Sequence, residues 1–461
     1  MIGSPHVLLI STYELGHQPF GLASPAAWLA EAGASVRCLD LAVEPLDEAG
    51  VVAADLIAVY VPMHTATRLA AALLPRLKAL NPLAHLCAYG LYAPMNEGYL
   101  RALGAGAILG GEFEEGLVEL VHRLRRPTSG AADGPPATVS LGRQRFLPPQ
   151  REGLPVLQRY AYLTLHTGER RVVGYTEASR GCLHLCRHCP IPPVYGGVLR
   201  IVQPEVVLDD IAAQVAAGAQ HITFGDPDFF NGPGHARRIV RSLHERFPDL
   251  TYDVTIKVEH LLEHAADLPL LRATGCLLVT SAVEAVDDAI LAIFAKGHTS
   301  RDFGLAVRLL REAGLALNPT FVAFTPWTTI EGYHDFLAVL DALDLVENVS
   351  PIQYAIRLLI PAGSLLLELD GVRSLVGPYD QAALAYPWMH SDPRVDALQR
   401  AVGRAVQEGQ RGGEGRRAIY QRVLTLTEQE LDGPQNGVVT PLAARSGRPV
   451  PLPYLSEPWY C

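Results

Sequence analysis

Three cysteines within one short loop constrain this chain more than any other stretch: Gly181-Cys182-Leu183-His184-Leu185-Cys186-Arg187-His188-Cys189-Pro190. Their sulfurs can converge on one inorganic centre only if the loop wraps around it, and Gly181 and Pro190 suit such a wrap. Thiolates are the usual ligands of iron-sulfur clusters and of structural zinc. A cubane cluster held by Cys182, Cys186 and Cys189 keeps one of its irons open. A zinc ion would take His184 or His188 as its fourth ligand, and a redox pair would need only Cys186 and Cys189. The loop alone leaves these readings open, and the segments downstream must separate them.

At 461 residues the chain exceeds one ordinary core and predicts about three domains. A composition of 49% hydrophobic and 19% charged residues is that of a globular protein. Lys and Arg number 38 against 48 Asp and Glu, a formal charge of −10, and no Lys/Arg-rich run occurs. A nucleic-acid partner is therefore not indicated. The remaining cysteines (Cys38, Cys87, Cys276, Cys461) are scattered, which excludes the disulfide framework of a small secreted domain. No apolar run is long enough to span a membrane and no signal-like N-terminus is present, so the expected compartment is the cytoplasm, without a membrane partner.

In chain order, residues 1–125 alternate short apolar runs with helical segments. Val7 to Ile10, Val36 to Leu39, Leu56 to Val61, Ala84 to Tyr89 and Ala107 to Leu109 read as buried strands of a doubly wound, Rossmann-like α/β domain. Ser24 and Pro25 are the expected start of its first helix. Its ligand rim would be the loops at 11–21, 62–65 and 90–96. Residues 126–155, rich in Pro and Gly, read as a linker. From 156 to 370 a strand-then-helix rhythm predicts a parallel sheet curled into a partial (β/α) barrel. Its strands are Tyr175 to Arg180, His221 to Phe224, Tyr252 to Ile256, Cys276 to Ser281, Ala316 to Phe321 and Ile352 to Leu359. Residues 371–461 form a mainly helical extension.

The loop resembles the signature of the radical S-adenosylmethionine (SAM) superfamily. The resemblance implies that Cys182, Cys186 and Cys189 bind a [4Fe-4S] cluster whose open iron is chelated by SAM, and it places His188 where the family usually has an aromatic residue. Downstream, Gly225-Asp226-Pro227-Asp228 ends a strand and resembles the glycine-rich motif that holds the SAM amino group; taken alone it is a common turn. Glu284, just past the next strands, can accept both ribose hydroxyls. With Lys296-Gly297-His298-Thr299 it resembles a further SAM-contacting segment; the plain alternative is a helix-terminal acid. Asn318-Pro319-Thr320 and Ile360-Pro361-Ala362-Gly363-Ser364 resemble the remaining SAM-proximal motifs. Zinc and redox-pair readings predict none of this series. The implied activity is reductive cleavage of SAM to methionine and a 5′-deoxyadenosyl radical that attacks a small-molecule or peptide substrate, fed by an electron donor such as flavodoxin or ferredoxin. The alternative is a non-catalytic iron-sulfur or zinc sensor. The absence of a second cysteine cluster and of a basic C-terminal module disfavours tRNA methylthiolation.

Ahead of such a domain, residues 1–125 are similar to the cobalamin-binding domain of one branch of the superfamily. That branch's D-x-H-x-x-G motif is missing, and Glu14-Leu15-Gly16-His17 departs from its spacing. Cobalamin held without a histidine ligand and a domain that binds none both remain open, with His17 and His64 read as ordinary loop histidines. The C-terminus, Ser456-Glu457-Pro458-Trp459-Tyr460-Cys461, resembles radical SAM proteins named for a Cys-Cys-Ala-Glu-Pro or Cys-selenocysteine-Ala-Glu-Pro tail. That resemblance would make Cys461 the first of a redox-active pair, in a selenoprotein read as stopping at its selenocysteine codon. A docked C-terminal strand with an incidental cysteine is the plain alternative.

Overall fold

The computed structural model describes residues 4–125, 138–432 and 452–456. Strands β1 (His6–Ser11), β2 (Ser35–Asp40), β3 (Leu56–Tyr60), β4 (His85–Tyr89), β5 (Ala107–Gly111) and β6 (Val139–Ser140) form one sheet in the order β2-β1-β3-β4-β5-β6. Every pairing in it is parallel. The continuous apolar runs follow from burial on both faces. Leu8, Ile10, Ile57 and Val59 pack on one side, and Val7, Leu9, Leu56 and Ala58 on the other. The first helix, Phe20–Glu31, begins ahead of the expected start. Ser24 lies inside it and donates to Glu114 Oε1 at 2.7 Å, so it joins two helices and caps neither.

The second sheet contains β7 (Tyr162–Thr164), β8 (Arg170–Thr176), β11 (His221–Phe224), β12 (Thr251–Thr255), β13 (Cys276–Glu284), β14 (Ala316–Phe321) and β15 (Tyr454–Leu455). Its order is β14-β13-β12-β11-β8-β7-β15, with β8 and β11 to β14 parallel: a half-barrel with an antiparallel edge. Strands β9 (Ser179–Gly181) and β10 (Leu199–Ile201) form a separate antiparallel ribbon around the cysteine loop. The segment 352–359 is no strand. Pro351 brings no N–H to a ladder, and Pro351–Ala355 coils into a 3-10 turn. The Gln353 side chain accepts from Phe321 N at 2.8 Å and so takes the place of a neighbouring strand beside β14.

Within the stretch read as a linker, residues 126–137 lie outside the described residues, and the rest is structured. Strand β6 extends the first sheet. Gln144 bonds both Glu112 and Glu114, and Arg151 makes a two-pronged pair with Asp210 at 2.7 and 2.9 Å. The C-terminal extension contributes helices Pro393–Arg411 and Arg416–Asp432. Its segment near 380 reaches back to the first domain, where Ala383 O meets His64 Nε2 at 2.6 Å and Tyr379 Oη donates to Asn96 Oδ1 at 2.7 Å. Among the described residues no helix is long and apolar enough to cross a membrane. Cys461, and with it the tail reading, lies outside the described residues.

Candidate active site

Strand β9 delivers the chain into the cysteine loop through Gly181 at φ +74°, where a Cβ would collide with the Val198 carbonyl. Only glycine meets both conditions. The loop is then clamped at its middle. Arg187 N donates to Phe294 O at 2.9 Å, and the Arg187 carbonyl accepts from Ser364 Oγ at 3.1 Å and Leu366 N at 3.2 Å. Asn231 holds its start, accepting from Leu183 N at 3.2 Å and donating to Cys182 Sγ at 3.5 Å. Cys182, Cys186 and Cys189 are all free thiols. Burial pushes the thiols of Cys182 and Cys189 up, the latter to about 12. Neighbouring thiols of the loop act in the same direction.

His188, in the same loop, engages Phe294 and Glu284. It stacks on Phe294 with ring centroids 4.5 Å apart, and its Nε2 lies 3.1 Å from Glu284 Oε1. Glu284 is the last residue of β13, a strand longer than expected, and sits at φ +71° where the register to β14 shifts. A non-glycine residue in that region stores backbone strain, which the local pairing must hold. Lys296 Nζ approaches the same oxygen at 3.4 Å. Burial would raise the Glu284 carboxyl, but Lys296 and His188 outweigh it and hold it down to about 2. Lys296 is in turn raised by Glu284, Cys186 and Cys189 against the opposing effect of burial. The cysteine loop, His188, Glu284 and Lys296 are therefore one electrostatic unit.

The two aspartates of the Gly225–Asp228 run also make contacts within the fold. Gly225 lies so close to the Tyr175 hydroxyl that no Cβ fits. Asp226 accepts from Ala178 N at 2.9 Å and Ser179 Oγ at 2.5 Å, tying β11 to the start of the cysteine ribbon. Burial raises its carboxyl to about 6 even so. Pro227 carries the chain into the turn. Asp228 uses Oδ1 to cap the turn at Phe230 N and directs Oδ2 toward His184 and His260. Burial acts to raise Asp228, and the two imidazoles outweigh it, holding it down to about 2. Asp226 is engaged on both oxygens, whereas Asp228 Oδ2 faces only the two histidines and makes no aligned hydrogen bond. Asn318 lies inside β14 and donates to Thr280 Oγ1 at 3.2 Å, away from a strand end. His260 and Asn231 were not singled out from sequence. His260 stands far from the loop in sequence and has no local motif to mark it.

At the first sheet, the order β2-β1-β3 puts the topological switch beside the loop after β1. Ser11 Oγ, Glu14 Oε2 and His17 Nδ1 are buried there without hydrogen-bond partners. His17 lies against Tyr175, ring centroids 5.0 Å apart, and burial drops its imidazole to about 4.

Residues 176–342 match the radical SAM superfamily. The chain carries a radical SAM domain. A tRNA-2-methylthio-N(6)-dimethylallyladenosine synthase of Desulfosudis oleivorans is 28% identical over 293 residues, which cover 60% of this chain and 56% of that protein. The chain thus spans little more than half the length of this relative. Among solved structures, the cobalamin-dependent SAM radical enzyme OxsB, with aqua-cobalamin and SAM bound, aligns at a TM-score of 0.69 and 15% identity over 86% of this chain and 66% of that one. The radical SAM methyltransferase TsrM from Kitasatospora setae, with tryptophan and a SAM analog bound, aligns at 0.62 and 20% identity over 81% and 77%. At these identities the likeness is one of fold, and it extends over the first sheet as well as the half-barrel.

Proposed function

We propose that this chain is a radical SAM enzyme in which Cys182, Cys186 and Cys189 hold a [4Fe-4S] cluster and the Glu284 corner receives SAM. The observation that carries this reading is the single electrostatic unit formed by three free thiols, His188, Glu284 and Lys296. The donor set fits the group, because three sulfurs suit a cluster with one open iron. His188 Nε2 faces Glu284 and His184 Nε2 faces Asp228, so each imidazole has a carboxylate against it. When bound, cluster and SAM supply the reductive cleavage that yields methionine and a 5′-deoxyadenosyl radical. The chain's own part is positional. Glu284, ionised and held from two sides, offers fixed acceptors to a ribose. His188 and Phe294 stack into a flat wall beside it. An external one-electron donor of the flavodoxin or ferredoxin type would supply the reducing equivalent.

The first domain is proposed to be a corrinoid domain without a histidine cobalt ligand. Support comes from its β2-β1-β3 switch and the unpartnered polar atoms of Ser11, Glu14 and His17 at that rim. The spacing of Glu14-Leu15-Gly16-His17 departs from the histidine-ligand motif, and His64 Nε2 is bonded to Ala383 O at 2.6 Å. Cys38 and Cys87 lie on strands β2 and β4 with β1 and β3 between them, so methylthiolation is not the reading we adopt. The deciding experiment is anaerobic reconstitution followed by incubation with dithionite and SAM. Formation of 5′-deoxyadenosine is expected, and its absence from protein that holds about four irons per chain would overturn the reading.

A further inference from the structure

Beside the cluster loop, three side chains from three separate segments meet. His184 comes from the loop, Asp228 from the turn after β11, and His260 from the helix Val258–Glu263 after β12. One ligand atom of each, His184 Nε2, Asp228 Oδ2 and His260 Nδ1, lies within 4.8 Å of the other two. Asp228 Oδ2 is 2.7 Å from His260 Nδ1 and 3.5 Å from His184 Nε2. All three atoms are buried, and none makes an aligned hydrogen bond. The Asp228 side chain is 2% exposed. A salt bridge or hydrogen-bond network aims N–H at oxygen; two ring nitrogens and a carboxylate oxygen buried face to face without that alignment are an arrangement a cation completes.

We propose that His184, Asp228 and His260 form a mononuclear site for a first-row divalent transition metal, distinct from the cluster. Two imidazoles and one carboxylate suit such an ion, and three protein ligands leave coordination positions open. The surroundings supply the outer shell that such sites need. Asp228 Oδ1 is fixed by Phe230 N at 3.1 Å, which turns Oδ2 toward the histidines. His184 Nδ1 faces Lys257 Nζ at 3.1 Å and Glu259 Oε2 at 3.8 Å, and Lys257 is paired with Glu259 at 2.7 Å. A metal on Nε2 requires the imidazole proton on Nδ1, which the Lys257 ammonium cannot accept, so Lys257 must turn to Glu259, its partner at 2.7 Å. Glu259 is thus a positioning residue. Because His184 stands between Cys182 and Cys186, the site and the cluster share one loop.

The test uses the full chain with Cys182, Cys186 and Cys189 replaced by Ser, so that no cluster thiolate competes. Titration with Co2+ alone, followed by desalting and metal analysis, is expected to leave one Co2+ per chain with the weak visible bands of nitrogen and oxygen ligation. Added to that background, Asp228→Asn and His260→Gln should each abolish retention. Glu259→Gln keeps all three ligands and should weaken binding about 10-fold, the lower end for outer-shell changes. Circular dichroism of each variant separates loss of a ligand from loss of fold. Equal retention by the Asp228→Asn and His260→Gln variants, or none by the parent, would overturn the proposal and leave a plain His260–Asp228 ion pair. The outcome does not depend on SAM cleavage, which is read on protein with its cysteines intact.

Discussion

At the carboxyl end of the first sheet, the ionisable groups are driven toward neutrality. Glu14 is buried with its carboxyl raised well above the ordinary range, first by desolvation and then by Glu177 and Asp40. His17 falls to about 4 for the same leading reason. At the carboxyl end of the second sheet, the Glu284–Lys296 pair is buried as deeply but keeps its charge. Glu284 is held at about 2 and Lys296 is raised, because each has an opposite charge against it. Desolvation is the same cost in both rims; pairing decides which form of the group survives it. A rim of paired charges is preorganised for a charged ligand such as SAM, with its ammonium, carboxylate and sulfonium. A neutralised rim suits a large ligand held by shape and backbone.

The sharpest way to break this contrast is to remove the centre that the second rim surrounds. Cys186→Ala is expected to take cluster iron from about four per chain to none and to abolish the EPR signal of the reduced cluster, because one sulfur in three is lost. Iron retained at the wild-type level in this variant would show that the cysteine loop is not the ligand set. Next comes the pairing itself. Glu284→Gln keeps the shape of the side chain and removes its charge, so SAM affinity should fall by roughly 1 to 3 kcal/mol while iron content is unchanged. Glu284→Ala should do more, because it leaves Lys296 buried without its partner and costs stability of about 3 to 5 kcal/mol as well. Unchanged affinity in the Gln variant, measured by equilibrium binding to reconstituted protein, would move the ribose contact elsewhere.

These residues also show what the sequence made legible. Buried parallel strands are near-continuous apolar runs, so the five strands read in the first domain could be seen directly, as could the alternation that builds the half-barrel. The cysteine loop announces itself because its ligands are local. Contacts made across the fold left no such mark. His260 joins Asp228 only because two strand-end loops meet, and Asp226 gains Ala178 and Ser179 as partners from another strand end. The segment at 352–359 misled for a different reason. It has the composition of a strand, but Pro351 and the Gln353 side chain replace the ladder there. Ser24 had the right chemistry for a cap and found a better partner in Glu114.

The smallest expected effect lies where the two rims meet. Arg180, from β9, is buried among three carboxylates: Glu114 at 2.7 Å, Glu177 at 2.8 Å and Glu112 at 3.4 Å. One guanidinium cannot neutralise three acids in a dry interface. Glu114 lies below its ordinary range because Arg180, Ser24 and Gln144 together overcome its burial. Glu112 and Glu177 are pushed up to about 7, with desolvation the leading cause in both. A carboxyl near 7 in the folded protein and near 4.5 in the unfolded chain binds more protons when folded throughout that interval. Stability therefore declines as pH rises from about 4.5 to about 7, the reverse of a carboxylate depressed by a salt bridge. Glu177→Gln mimics the protonated form, so it should flatten this decline and raise stability by on the order of 1 kcal/mol at neutral pH, with little change near pH 5. Thermal midpoints of the two proteins measured across that range check it. Curves that stay parallel would mean that Glu177 is ionised in the folded state and that Arg180 balances more charge than its surroundings suggest.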